Sequence, residues 1–100
     1  MKRIRVIWTD EAIFDLELVY DFLVLKSTKA AEKLVDSILL RTRQLEDFPS
    51  SGPTETELST DQEYRYLVES HFKIIYSIRS NSVFIETVLD TRQNPLVNKL

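Results

Sequence analysis

YRYLVESHFKIIYSIRSNSVFIETVLD, residues 64–90, decides the fold. It divides into three alternating runs. In 64–69, Tyr64, Tyr66 and Val68 oppose Arg65, Leu67 and Glu69. In 72–79, Phe72, Ile74, Tyr76 and Ile78 oppose Lys73, Ile75, Ser77 and Arg79. In 83–90, Val83, Ile85, Thr87 and Leu89 oppose Phe84, Glu86, Val88 and Asp90. A period of two in β-branched and aromatic residues marks strands. Ser70-His71 and Ser80-Asn81-Ser82 leave room only for tight connections, so the three strands form an antiparallel meander. Asn94-Pro95 stops the last strand.

Upstream the period changes. Residues 10–26 place Ala12, Leu16, Val19, Tyr20 and Leu23 on one side of a helix, after a cap from Thr9 or Asp10. Residues 29–47 place Ala31, Leu34, Val35, Ile38, Thr42, Leu45 and Phe48 on one side of a second, capped by Ser27-Thr28 and ended by Pro49. So short a link makes the pair an antiparallel hairpin. Residues 3–8 alternate as a further short strand. Residues 50–63 form a polar, acidic connection with a turn at Ser51-Gly52-Pro53, and the tail from Leu96 to Leu100 is too short for a substantial helix.

The expected architecture is an α+β domain over residues 1–100. A four-stranded antiparallel sheet carries the N-terminal helical hairpin on one face, in the order strand-helix-helix-strand-strand-strand. The opposite sheet face is then free to be a functional surface. The first helix has a second apolar row, Phe14, Leu18, Phe22 and Leu25, among Asp10, Glu11, Glu17 and Asp21. Either another element of the chain covers that row or it is reserved for a partner chain.

Composition narrows the chemistry. With no Cys, disulfides, thiol nucleophiles and Cys-based zinc or iron–sulfur sites are excluded. One His excludes the common multi-His metal sites, and one Gly excludes a glycine-rich phosphate loop. A carboxylate-only Mg²⁺ site stays open. Asp15, Glu17 and Asp21 read as a solvated helix face rather than as metal ligands, and His71 as a solvated turn residue. No Ser has a nucleophile-elbow context. No apolar run reaches the ~18–20 residues of a membrane span, and acidic residues interrupt any signal-peptide core after Arg5. The net charge is −3, distributed as −1 over residues 1–47, −4 over 48–63 and +2 over 64–100.

The mildly basic C-terminal third holds Arg65, Lys73, Arg79 and Arg92. Cations grouped on a sheet can grip phosphates. They can also stabilise the charge that develops when a 2′-hydroxyl attacks an RNA phosphodiester, a cleavage that needs no metal. Equally, they can line a solvated face and pair with Glu69, Glu86 and Asp90.

Several local signatures occur in a familiar order. They are Trp8-Thr9-Asp10-Glu11-Ala12 with Asp15-Leu16, Leu45-Glu46-Asp47-Phe48-Pro49-Ser50-Ser51-Gly52, Tyr64-Arg65-Tyr66-Leu67-Val68, Phe72-Lys73-Ile74-Ile75-Tyr76, and Val88-Leu89-Asp90-Thr91-Arg92-Gln93-Asn94-Pro95. Together, over roughly residues 4–95, the chain resembles the RelE/ParE superfamily of toxins from bacterial type II toxin–antitoxin systems. The resemblance implies a cytoplasmic growth inhibitor of the plasmid-stabilisation type, neutralised by a cognate antitoxin, with no cofactor, no metal and no membrane partner. It gives Phe14, Leu18, Phe22 and Leu25 the role of an antitoxin contact, and leaves room for a higher-order toxin–antitoxin oligomer.

One branch of the superfamily cleaves mRNA on the ribosome; the other, ParE-like, poisons DNA gyrase. By resemblance, Arg65, Lys73 and Arg92 are the catalytic candidates of a ribonuclease. That set is only partly matched. Lys73 stands where an Arg is usual, Leu67 replaces a second basic residue, no Tyr or His lies beyond Arg92, and the chain is acidic. The Tyr-Arg-x-Leu-Val spacing and the Leu-x-x-Arg-x-x-Pro ending look closer to the ParE-like branch. The alternatives are a RelE-like ribosome-dependent mRNA endoribonuclease and an inactive interaction module of the same fold.

Overall fold

The computed structural model describes residues 3–56 and 62–92. In chain order these form β1 (Arg5–Trp8), α1 (Asp10–Val24), α2 (Thr28–Arg43), a single 3₁₀ turn (Gln44–Glu46), β2 (Thr54–Glu55), β3 (Tyr64–Glu69), β4 (Phe72–Arg79) and β5 (Ser82–Asp90). The Asn94-Pro95 stop and the tail lie outside the described residues.

Both helices begin where their caps predict. Thr9 Oγ1 accepts from the Ala12 amide at 3.2 Å and Ser27 Oγ from the Ala30 amide at 3.1 Å, each satisfying one orphan donor of the first turn. The Thr9 hydroxyl also donates to the Ile85 carbonyl at 2.7 Å, which pins the start of α1 to β5. Ala12, Ile38 and Leu45 from the helical layer pack with Leu67, Ile74, Tyr76, Val83 and Ile85 from the sheet as the main core. Phe48 was expected in this layer but is 64% exposed. Phe48 lies beyond the 3₁₀ turn, which ends at Glu46, and directly before Pro49, so it stands outside the helical repeat that buries Leu45.

The sheet has five strands, not four, and is mixed, in the order β1-β5-β4-β3-β2. The meander is antiparallel as read, with β3–β4 joined through Ser70-His71 and β4–β5 through Ser80-Asn81. Ser80 and Asn81 both have positive φ, the pattern of a type I′ hairpin turn. β1 lies parallel to β5, Arg5 against Ser82 through Trp8 against Ile85. No hairpin ties β1 to its neighbour, so nothing in its own alternation sets its direction. β2 pairs only Thr54 and Glu55 with β3, too short for any period to show.

Two further expectations change. β5 carries one extra residue: Tyr76 faces Ile85 and Ile75 faces Thr87, leaving Glu86 as a bulge. The bulge reverses the alternation, so Val88 rather than Leu89 lies opposite the core residue Ile74. Nor is the second sheet face open along its centre. Ile74, Ile75, Tyr76 and Ser77 are consecutive and all buried, and Leu89 is buried too. A strand buried on both sides reads as a continuous run, and Ile74-Ile75-Tyr76 has that character.

Candidate functional site

Arg65 sits on the helix side of β3. It lies directly opposite Tyr76, and paired residues of an antiparallel ladder share a face. Its guanidinium donates to the Gly52 carbonyl at 2.8 Å and the Ser50 carbonyl at 3.3 Å, and pairs with Glu63 at 3.0 Å. Tyr76 completes the arrangement. Its buried hydroxyl donates to the Pro49 carbonyl at 2.8 Å and accepts from the Gly52 amide at 3.0 Å. Burial pushes the Tyr76 pKa above its ordinary 10.0, against smaller downward pulls from the Gly52 amide and Arg65. The phenol therefore stays protonated at neutral pH and serves as donor and acceptor together. The chain's one glycine lies at this contact, where a Cβ would run into the Tyr66 carbonyl oxygen and come within 2.8 Å of the Tyr76 hydroxyl. The first half of the acidic connection is thus an ordered turn riveted to β3 and β4.

Lys73 is on the other side of β4, opposite Val68. Its ammonium pairs with the buried Glu55 carboxylate at 2.5 Å and lies 4.2 Å from the centroid of the Tyr66 ring. Glu55 comes from β2, in the stretch 48–63 whose charged residues are all acidic. Arg92 lies just past β5. It is more exposed, at 57%, and chelates Asp90 through Nε at 3.2 Å and Nη2 at 3.3 Å. The Arg92 side chain, helped by its backbone amide, holds the Asp90 pKa below the ordinary 3.8. Arg79 pairs with Glu86 at 3.4 Å and stacks 4.0 Å from Phe84.

The structure therefore does not bring Arg65, Lys73 and Arg92 together. Arg65 and Lys73 project from opposite faces, and the Arg65–Tyr76 row lies four residues, about 13 Å at strand rise, from the Phe72–Asp90 row next to Arg92. Each cation already faces a carboxylate. The pairings of Arg79 with Glu86 and of Arg92 with Asp90 follow the solvated-face reading; Glu69 is taken by Arg41 instead, at 3.6 Å. His71 is exposed at the β3–β4 turn, where its carbonyl accepts from the Thr91 amide and hydroxyl.

Asp15 differs from its expected place on a solvated face. It is 3% exposed, and its Oδ2 accepts from the Thr87 hydroxyl at 2.5 Å and the Val88 amide at 3.0 Å. β1 ends at Trp8, opposite Ile85, so β5 has no strand neighbour on that side from Glu86 onward. The Asp15 carboxylate stands in for the missing strand. A carboxylate one helical turn into α1, facing the core stripe, is the only sequence signal it leaves. Glu17 and Asp21 are exposed as expected. Among the described residues, no three His, Cys, Asp or Glu side chains converge as metal ligands would.

The second row of α1 is left bare by the described residues. Phe14 is 56% exposed, Leu18 51%, Phe22 55% and Leu25 83%. The Lys26 ammonium lies 5.2 Å from the centroid of the Phe22 ring.

A family profile described as "ParE toxin of type II toxin-antitoxin system, parDE" matches residues 6–95. The chain belongs to the ParE toxin family. It is thus a ParE-like toxin of a type II system. Among solved structures, a ParE-family fold recurs in the "Chromosomal ParDE TA system from P. aeruginosa", with a TM-score of 0.70 and 21% identity over 86% of this chain and 94% of that one. At that identity the likeness shows the fold alone. No curated protein matches. No helix among the described residues is long and apolar enough to cross a membrane.

Proposed function

We propose that this ParE-family toxin acts in the bacterial cytoplasm by binding DNA gyrase, not by cutting RNA, and that a cognate antitoxin silences it through Phe14, Leu18, Phe22 and Leu25. One observation carries the first part. Arg65 and Lys73 occupy opposite sheet faces, and each is committed to the connection between α2 and β3, through Gly52 and Glu63 for one and Glu55 for the other. Metal-free cleavage of a phosphodiester needs cations converging on one phosphate with a proton-transfer group beside it. The net charge of −3 points the same way, because a ribosome contact dominated by phosphate favours a basic protein.

The deciding experiment induces the toxin without its neighbouring gene and follows DNA and protein synthesis by pulse labelling in one culture. DNA synthesis is expected to stop first, and the purified protein to block gyrase supercoiling of a relaxed plasmid. If protein synthesis stops first, with mRNA cut at the ribosome, the gyrase reading fails and Arg65, Lys73 and Arg92 become catalytic candidates. For the antitoxin surface, Leu18→Glu with Phe22→Glu is expected to abolish antitoxin binding while cooperative melting persists. Undiminished binding refutes the assignment.

A further inference from the structure

The bare row on α1 has a charge pattern as well as an apolar one. Phe14, Leu18, Phe22 and Leu25 are spaced by four, four and three, a seam that a second helix can pack along. The seam runs about 16 Å, three helical turns. At 100° per residue, Asp10, Glu17 and Asp21 line one flank of it. Asp10 is at home in the first turn, where the helix dipole favours an anion. Glu17 and Asp21 have no such reason. They are exposed in mid-helix and make no ion pair with any described residue, as also holds for Glu32 and Asp36 on α2, while Glu46, Asp47, Glu55, Glu63, Glu69, Glu86 and Asp90 each have a cation. Glu17 and Asp21 differ from the α2 pair in flanking a bare apolar row. The exposed side of α1 carries one basic residue, Lys26, beyond its C-terminal end.

We infer that the occupant of this seam is a basic amphipathic helix of about three turns, with Lys or Arg along the edge that meets Glu17 and Asp21. The inference rests on the reading of the seam as the antitoxin contact and specifies the chemistry of the segment that docks there. A second copy of this chain fits poorly. In an antiparallel pairing of two α1 helices the acidic flanks face each other, and like charges across an interface oppose association. A partner with the opposite flank gains both the apolar burial and the charge match, and the match makes its association faster at low salt.

The test uses the full chain and the purified antitoxin from the adjoining gene, with dissociation constants measured at 50 mM and 500 mM NaCl. Glu17→Gln with Asp21→Asn is expected to weaken binding roughly fivefold at 50 mM, the sum of two rim ion pairs, and to have almost no effect at 500 mM, where screening is short-ranged. The Leu18→Glu, Phe22→Glu variant is the control for the seam itself. If that variant binds normally, the seam reading fails. If it loses binding while Glu17→Gln with Asp21→Asn binds as well as wild type at both salts, the seam stands and the basic-helix inference is overturned. Sedimentation of the free toxin closes the remaining route: a wild-type dimer that Leu18→Glu dissolves assigns the seam to a second copy and also overturns it.

Discussion

Replacing Asp15 with Ala tests whether one side chain substitutes for a strand. The Asp15 carboxylate accepts two hydrogen bonds at the bare side of β5, from the Thr87 hydroxyl and the Val88 amide, and both residues are buried. Hydrogen bonds to a charged acceptor contribute ~1.5–3 kcal/mol each, and a buried donor left unmade carries most of its desolvation cost. Two such bonds that share one oxygen do not add fully, so Asp15→Ala is expected to cost about 3 kcal/mol. At roughly 4–8 °C per kcal/mol for a chain of this size, Tm falls by ~12–24 °C. Asp15→Asn keeps a carbonyl oxygen in the same place and loses only the charge assistance, so its expected cost is about 1 kcal/mol. Thr87→Val removes one donor with an isosteric methyl and should also cost about 1 kcal/mol. The assay is urea unfolding of the three variants and of the Asp15→Ala, Thr87→Val double variant. A coupling of about 1 kcal/mol is expected in the cycle, since both changes remove the same bond. If Asp15→Ala is no worse than Asp15→Asn, or if all three lie within ~0.5 kcal/mol of wild type, the edge-capping account is refuted.

The other predictions concern the turn that holds the acidic connection. Gly52→Ala is expected to lower stability by ~1–3 kcal/mol, the scale of an overpacked site, because the added methyl meets the Tyr66 backbone oxygen, which cannot swing away. Adding Tyr76→Phe should not rescue it, and rescue would show that the phenol alone sets the clash. Tyr76 also predicts an alkaline limit. Its folded pKa is raised above 10.0 by burial, so the unfolded chain loses this proton first and stability falls as pH rises beyond 10; Tyr76→Phe should flatten that fall in a Tm-against-pH series. Asp90 predicts an acid limit of opposite sign. Its folded pKa is held below 3.8 by Arg92, so the contribution present at neutral pH is lost as pH drops below that value, and Asp90→Asn should reduce the slope there. Arg65→Met is expected to lower Tm, because it frees the Gly52 and Ser50 carbonyls; an unchanged Tm would return Arg65 to the list of available cations.

The elements with strong local periodicity were legible. The meander, both helices and the capping roles of Thr9 and Ser27 follow from alternation, 3.6-residue spacing and short polar caps. What was not legible depends on contacts far apart in the chain. The direction of β1 is set by residues 82–85, and β2 exists only because Thr54 and Glu55 meet β3. The Glu86 bulge has no Gly or Pro to announce it. Side-chain partnerships were the least visible. Asp15 meets Thr87 across 72 positions, and Arg65 is held by backbone carbonyls that no residue type reveals. The bare row on α1 was visible because a helix places residues 14, 18, 22 and 25 together whatever the rest of the chain does.

The same physics that hides the cations explains why they are here. The connection between α2 and β3 carries no basic residue over 48–63, so its Glu55 and Glu63 need cations from outside it. β3 and β4 supply them on opposite faces, Arg65 to Glu63 and Lys73 to Glu55, so the segment is held from both sides of the sheet. Burying Glu55 without Lys73 would leave a charge in low dielectric, a loss on the order of 3–5 kcal/mol. Two conspicuous basic positions of the C-terminal third, Arg65 and Lys73, are thus accounted for by the acidic stretch before them. Glu17 and Asp21 of α1 have no such counterpart among the described residues. A surface on which the described residues leave Glu17 and Asp21 unanswered and the apolar row uncovered points outward, to a second protein, and that is where the search for this toxin's control belongs.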